Sequence, residues 1–201
     1  ARDAADYAAG HVAGAVWIDP AEWKEESLAA ETGLDHETLW RQRIGALGVS
    51  GRAPVVIYDD GRMTEAARVW FIFQHFGVPE AHVLNGGYPA LAPLSAAGRV
   101  TVSRTPTAPR PVAFRPAGTT ATRVAVAERQ AVRTAVERGE AQVFDARSRE
   151  EYTGADLRTN KRGGHIPTAI NVPHRELLDE HGRLKAPDVL AELLAEAGFR
   201  P

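Results

Sequence analysis

The sequence predicts an α/β protein made of two copies of one domain, each a mainly parallel sheet flanked by helices. Three observations carry that expectation. Short β-branched runs alternate with segments of 3.6-residue apolar spacing, the mark of parallel strands joined by crossover helices. Two stretches about 150 residues apart repeat each other in residue type and spacing. A proline-rich stretch stands between them.

The repeat is specific. Ala1-Arg2 with Tyr7 matches Ala146-Arg147 with Tyr152, and Gly10-His11-Val12-Ala13-Gly14-Ala15-Val16 matches Gly164-His165-Ile166-Pro167-Thr168-Ala169-Ile170. Ala46-Leu47-Gly48-Val49 answers Glu196-Ala197-Gly198-Phe199. The offsets run 145, 154 and 150, so the second copy holds nine extra residues between Tyr152 and His165. Between the copies, residues 92–122 carry Pro93, Pro106, Pro109, Pro111 and Pro116 without sustained periodicity. Proline removes backbone donors and restrains its neighbour to extended backbone, which predicts a linker at 104–118. It would join an N-terminal domain at 1–103 to a C-terminal domain at 119–201.

Within the first copy, residues 38–47 read as a helix and 54–58 as a fully buried apolar strand. Asp59-Asp60-Gly61-Arg62 makes a loop, and 64–76 a helix with Ala66, Val69, Trp70, Phe73 and Phe76 on one face and Gly77 as its stop. A strand at 82–84 runs into the turn Asn85-Gly86-Gly87. In the second copy, 123–138 reads as a helix, 141–145 as a strand and 186–197 as a helix ended by Gly198. Val143-Phe144-Asp145 has no counterpart before Ala1, and only Arg200-Pro201 follow Phe199 where the first copy goes on to its 54–58 strand. We therefore expect the first domain to be displayed without its opening strand and the second without its closing third, roughly 50 residues short of an ordinary domain.

Composition narrows the function. The 201 residues are 44% hydrophobic and 25% charged, with a formal charge of -2. That balance gives no electrostatic footprint for nucleic acid or an anionic membrane. No apolar run is long enough to span a bilayer and no leader pattern opens the chain, so a cytoplasmic protein is the default expectation. Cysteine is absent, which excludes disulfides, thiolate metal sites and a cysteine nucleophile within these residues. The seven histidines show neither helical i, i+4 pairing nor an HExxH pattern, so no metal is expected. The repeat-matched His11 and His165 are read as buttresses of the turn before a strand. No GxGxxG, GxxxxGK[ST] or GxSxG occurs, and no cofactor is expected. Trp17, Trp23, Trp40 and Trp70 read as packing residues.

Ligands in open α/β sheets sit beyond the carboxyl ends of strands, which directs attention to the loop that opens with Asp59. Backbone N–H groups of such a loop and the following helix converge on a point suited to an anion. A carboxylate there serves as a cap on its own loop more readily than as an acid. Arg2 and Arg147 follow matching strand ends, where an arginine either clamps an anionic substrate or pairs with a carboxylate to hold the loop.

The stretch Asp145-Ala146-Arg147-Ser148 with Glu151-Tyr152, followed by Gly164-His165-Ile166-Pro167-Thr168-Ala169-Ile170-Asn171-Val172-Pro173, resembles the signature of rhodanese domains. In the first copy, Gly10 to Val16, Val55-Val56-Ile57-Tyr58-Asp59, Ala67-Arg68-Val69-Trp70 and Val83-Leu84-Asn85-Gly86-Gly87-Tyr88 resemble the N-terminal half of tandem-domain thiosulfate and 3-mercaptopyruvate sulfurtransferases. The resemblance implies a silent first domain, with Asp59 standing where the second domain has its nucleophilic cysteine on a loop expected beyond Pro201. It implies sulfur transfer through a cysteine persulfide, from thiosulfate or 3-mercaptopyruvate to cyanide or a thiol. Partners would be the small-molecule donor and a thiophilic acceptor, without nucleic acid or membrane, in a monomer or weak dimer. Glu151 departs from relatives with an arginine before the tyrosine, so Arg147, Arg149, Arg158 or Arg162 must outweigh it if an anionic donor binds. Arg147, Arg149 and Arg162 are the candidate substrate-binding residues, and Asp145, His165 and His11 the structural ones. The glutamate and the basic insertion at 156–164 lean towards the bacterial thiosulfate type. Two rivals stay open: a non-enzymatic rhodanese-like binding or regulatory module lacking the cysteine, and a phosphatase on the same fold.

Overall fold

A computed structural model describes residues 1–78, 80–116 and 124–200, which divide into two compact units, Ala1–Ala125 and Val126–Pro201. Unit 1 runs α1 (Ala4–Ala9), β1 (His11–Val12), α2 (Pro20–Leu28), α3 (Glu37–Ala46), β2 (Val55–Ile57), α4 (Thr64–His75), β3 (Ala81–Val83), α5 (Ala92–Ala96) and β4 (Val102–Ser103), with a 3-10 turn at Tyr88–Leu91. Unit 2 runs α6 (Arg129–Arg138), β5 (Phe144–Asp145), α7 (Arg149–Thr153), β6 (Ile170–Asn171) and α8 (Pro187–Glu196), with a 3-10 turn at His174–Leu177. Each unit has a parallel ladder. Val55, Val56 and Ile57 pair with Ala81, His82 and Val83 in unit 1, and Phe144 and Asp145 with Ile170 and Asn171 in unit 2. Antiparallel β1–β4, with His11 opposite Ser103, is a feature that the sequence reading did not include.

Local chemistry explains the main elements of unit 1. Pro20 stands in the first turn of α2, and the Asp19 side chain caps it by accepting from the Ala21 and Glu22 amides at 2.9 and 3.2 Å. The apolar stripe of α4 buries Ala66, Val69, Ile72 and Phe73, as its spacing predicts. They join Trp23, Trp40, Ile44, Phe76 and Val78 in one core, where Trp23 and Trp40 meet edge to face at 5.2 Å. Trp70 Nε1 donates to Ala81 O at 2.9 Å and pins α4 to β3.

Several expectations need correction. β2 is not a fully buried strand: Val56 is 62% exposed, because β3 is its one strand neighbour among the described residues and the other flank opens on a cavity. The helix expected over 123–138 begins at Arg129, since Glu128 has extended backbone at ψ 149° and residue 123 lies outside the described residues. The strand expected over 141–145 is confined to Phe144–Asp145, the two residues that reach the β6 ladder. Of the 104–118 stretch, residues 104–116 lie along unit 1: Val112 N donates to Gly45 O and Arg115 N to Ser50 O, both at 2.9 Å, and Phe114 packs on the core. Residues 117 and 118 lie outside the described residues. No described helix is long and apolar enough to cross a membrane.

Candidate functional site

The candidate site of unit 2 lies at the carboxyl ends of β5 and β6, and a brace of side chains positions it. Asp145, at the end of β5, accepts from Arg147 N and Nε at 3.0 Å and from Arg147 Nη2 at 2.5 Å. Arg147 Nη2 also reaches Gly164 O at 2.9 Å. That fork ties the strand end to the loop before His165. The Arg147 guanidinium holds the Asp145 carboxyl below the usual carboxylate range against the opposing effect of burial, and the same bond raises Arg147. Asn171 Nδ2 donates to Asp145 O at 2.9 Å and Arg147 O at 3.0 Å. Tyr152 Oη donates to Ala169 O at 2.8 Å, and its ring stacks on His165, whose Nδ1 lies 2.9 Å from Tyr152 O.

Beyond this brace opens a cavity of about 980 Å³, lined among others by Arg149, Glu151, Asp156, Arg158, His174 and Glu176. Ser148 caps α7 by accepting from Glu151 N at 3.2 Å, which fixes Glu151 in the wall. Glu151 is offset: Arg158 Nη2 stands 3.6 Å from its Oε2, and Arg158 Nε stands 3.1 Å from Asp156. Arg149 faces Glu176 at 3.4 Å. The cavity wall is thus a set of compensated pairs, and its net charge is not set by Glu151 alone.

In unit 1 the loop after β2 is filled by its own carboxylate. Asp59 is 1% exposed, and its carboxylate accepts from the Gly61, Met63 and Ala66 amides at 2.9, 3.1 and 3.2 Å. Ala66 belongs to the first turn of α4, so loop amides and a helix N-terminus converge on one anion. The turn after β3 closes on this loop at Gly87, where φ is +59° and a Cβ would stand 2.5 Å from Gly61 N. No residue but glycine fits there.

The candidate residues fall in different places. Arg147 lines the cavity, but Asp145 and Gly164 take its fork. Arg149 lines the cavity with its side chain 66% exposed, while Arg162 is exposed and does not line it. His11 is buried between Tyr7 O at 2.8 Å and Thr105 O at 3.0 Å. Asn171, His174 and Glu176 were not singled out from the sequence. Asn171, the last residue of β6, stood inside the quoted motif, and a polar residue closing an apolar run was the available signal.

Comparison with known proteins gives consistent matches. The family model described as the rhodanese-like domain matches residues 1–92 and 128–195. The thiosulfate sulfurtransferase of Bos taurus is 30% identical over 190 residues, covering 92% of this chain and 62% of the relative. That of Pseudomonas aeruginosa is 31% identical over 199 residues, covering 98% and 70%. The solved structure of the 3-mercaptopyruvate sulfotransferase SseA from Escherichia coli superposes with a TM-score of 0.72 at 27% identity, covering 97% of this chain and 71% of that one. The chain spans less than two thirds of the length of the Bos taurus relative.

Proposed function

The chain belongs to the rhodanese-like domain family, and from that membership we propose that the whole protein is a sulfurtransferase moving sulfane sulfur from thiosulfate, or from 3-mercaptopyruvate, to cyanide or a thiol. The observation that carries the proposal is the Asp59 cradle, in which three amides hold one anion at the loop where this fold places its chemistry. Asp59 is the silent form of that loop. We infer that in the whole protein the equivalent loop of the second domain carries a cysteine where the first has Asp59. Amides and a helix N-terminus around a thiol lower its pKa and favour the thiolate. The thiolate attacks the outer sulfur of thiosulfate, the S–S bond breaks, sulfite leaves with the electron pair, and a persulfide remains. The lone pair of the acceptor then attacks that sulfur and releases the thiolate.

Arg149 is the residue we assign to the anionic donor, supported by its exposed place in the cavity of unit 2. Arg158 keeps Glu151 from repelling that donor, which supports the bacterial thiosulfate type. Arg147 acts through the fold, as the tie between β5 and the Gly164 loop. The test is thiocyanate formation by the whole protein from thiosulfate and cyanide, run beside 3-mercaptopyruvate, with intact mass reading one added sulfur after donor alone. Arg149→Ala should raise KM for thiosulfate roughly tenfold. A whole protein whose second domain has no cysteine in that loop, inert with both donors, would leave the binding-module alternative standing.

A further inference from the structure

Units 1 and 2 build the same brace and differ in the side chains set beyond it. Arg2 Nη1 donates to Gly10 O at 2.8 Å, as Arg147 Nη2 does to Gly164 O at 2.9 Å, so this arginine belongs to the fold of both. The cavity of unit 2 is also lined by Arg149 on α7 and by His174 and Arg175 in the 3-10 turn. At the matching offsets of 145 and 154, unit 1 has Ala4, Pro20 and Ala21. A side chain that the fold requires recurs in both copies, as Arg2 and Arg147 do. These three do not recur, and so serve unit 2 alone.

Charge singles out His174 among them. Its backbone is fixed at the carboxyl end of β5, where Val172 N donates to Asp145 O at 3.0 Å and His174 N to Ala146 O at 3.1 Å. The residue is half-buried, and its imidazole has no hydrogen bond or ion pair among the described residues. Around it α7 brings Arg149, Glu150 and Glu151, the loop after α7 brings Asp156 and Arg158, and the 3-10 turn brings Arg175 and Glu176. Arg149 faces Glu176, Arg147 is taken by Asp145, and Arg158 is shared between Glu151 and Asp156. Arg175 and Glu150 remain, one charge of each sign, both exposed. With a neutral imidazole this wall therefore carries no excess positive charge. Among the lining residues, the imidazole is the group whose type changes charge near neutral pH.

We propose that His174, in its protonated form, is the residue that lets this cavity hold a doubly charged oxyanion together with Arg149, so that anion binding and proton uptake are one event. The proposal rests on the reading of that cavity as the donor site, and it makes His174 a specificity-determining residue. Thiosulfate carries two negative charges and 3-mercaptopyruvate a single carboxylate, so the protonated site favours thiosulfate. Linkage fixes the sign. A dianion that binds the protonated form more tightly strengthens the hold of the imidazole on its proton by the same factor. Binding therefore gains as the imidazole takes up its proton with falling pH, and is lost as pH rises.

The experiment titrates sulfate into the 201-residue chain, because sulfate keeps both charges across the range and has no sulfane sulfur to transfer. Its affinity, read from the imidazole Cε1 proton signals, should be about tenfold higher at about pH 5.5 than at about pH 8. His174→Gln should bring that ratio below about twofold. His174→Lys, whose charge does not titrate in this range, should bind at about pH 8 as tightly as the parent does at about pH 5.5. A pH ratio that survives His174→Gln, a His174→Lys chain that binds at neither pH, or a parent chain that binds no sulfate in acid would overturn the proposal. In the whole protein, kcat/KM for thiosulfate relative to 3-mercaptopyruvate should rise about fivefold over the same fall in pH, a ratio in which the titration of a shared nucleophile cancels. His174→Gln should flatten that rise. A whole protein inert with both donors, whose chain still binds sulfate through His174, would overturn the sulfurtransferase reading and uphold the site. An active protein with the same ratio profile in His174→Gln would do the reverse.

Discussion

The two units share a brace and differ in what covers it. In each, a tyrosine hydroxyl donates to a carbonyl four residues past the paired histidine, at 2.8 Å from Ala15 O in unit 1 and from Ala169 O in unit 2. In each, the histidine ring stacks on that tyrosine, at 3.8 Å for His11 and 3.7 Å for His165. Around His11, however, β4 and the chain to Thr105 close off solvent, whereas His165 is exposed. Burial shows the same contrast: of the buried hydrophobic residues described, only Ala169 and Val172 lie in unit 2. One local pattern therefore builds the same hydrogen bonds in either setting, and the surroundings decide how much stability each bond carries.

The largest expected effect tests the filled cradle of unit 1. Asp59→Ala leaves three amides around a buried void and should cost unit 1 about 3 kcal/mol, read as a lower urea midpoint of tryptophan fluorescence. Amide exchange in unit 2 should stay as it was. An unchanged midpoint would remove the cradle as a structural element. Next comes the histidine pair. His11→Ala opens a cavity at a buried position and removes the ring contacts to Tyr7 O and Thr105 O, for a loss of about 2 kcal/mol, while His165→Ala should cost under about 1 kcal/mol at its exposed place. Equal losses would mean that coverage does not set the worth of the brace.

Much of this was legible in the residues. The helix α4 and the paired strands β2 and β3 follow from apolar spacing and β-branched runs, because one buried face dictates both periods. Matching Arg2 with Arg147 and His11 with His165 located the brace, since both copies place the same side chains in the same order on either side of the nine-residue insertion. The exposure of Val56 was not legible, because an apolar run does not say whether a neighbour stands on each flank. Nor was the compensation of Glu151 by Arg158. That pair depends on how the nine-residue insertion folds back, with Gly154 and Gly163 so close that a Cβ on Gly163 would lie 2.7 Å from Gly154 Cα. Such contacts are set by tertiary closure and leave no periodic trace.

Smaller effects sharpen the comparison further. Tyr7 Oη both donates to Ala15 O and accepts from Thr107 N at 3.0 Å, while Tyr152 Oη is described with the Ala169 bond. Tyr7→Phe should therefore cost about 1.5 kcal/mol and Tyr152→Phe about 0.5 kcal/mol, measured by fluorescence melting for the first and amide exchange for the second. Similar values in both units would show that the Thr107 bond contributes nothing.

The smallest expected effect is the acid limb of unit 2. Asp145 has its pKa lowered on folding, chiefly by the Arg147 hydrogen bonds. The unfolded chain therefore binds that proton more readily than the folded one. The stabilisation is present in full above the ordinary carboxylate range and disappears as pH falls through the lowered value. Arg147 is 39% exposed, so solvent screens the pair and about 1 kcal/mol is the expected size. Protection factors of the β5 and β6 amides, corrected for intrinsic exchange at each pH, should fall below about pH 4, and Asp145→Asn should remove that acid dependence while lowering protection at neutral pH. Unit 1 gives the control, because no Asp145 counterpart meets Arg2 among the described residues. An acid limb of equal size at residues 10–17 would have to come from other carboxylates, and the Asp145 assignment would then fail.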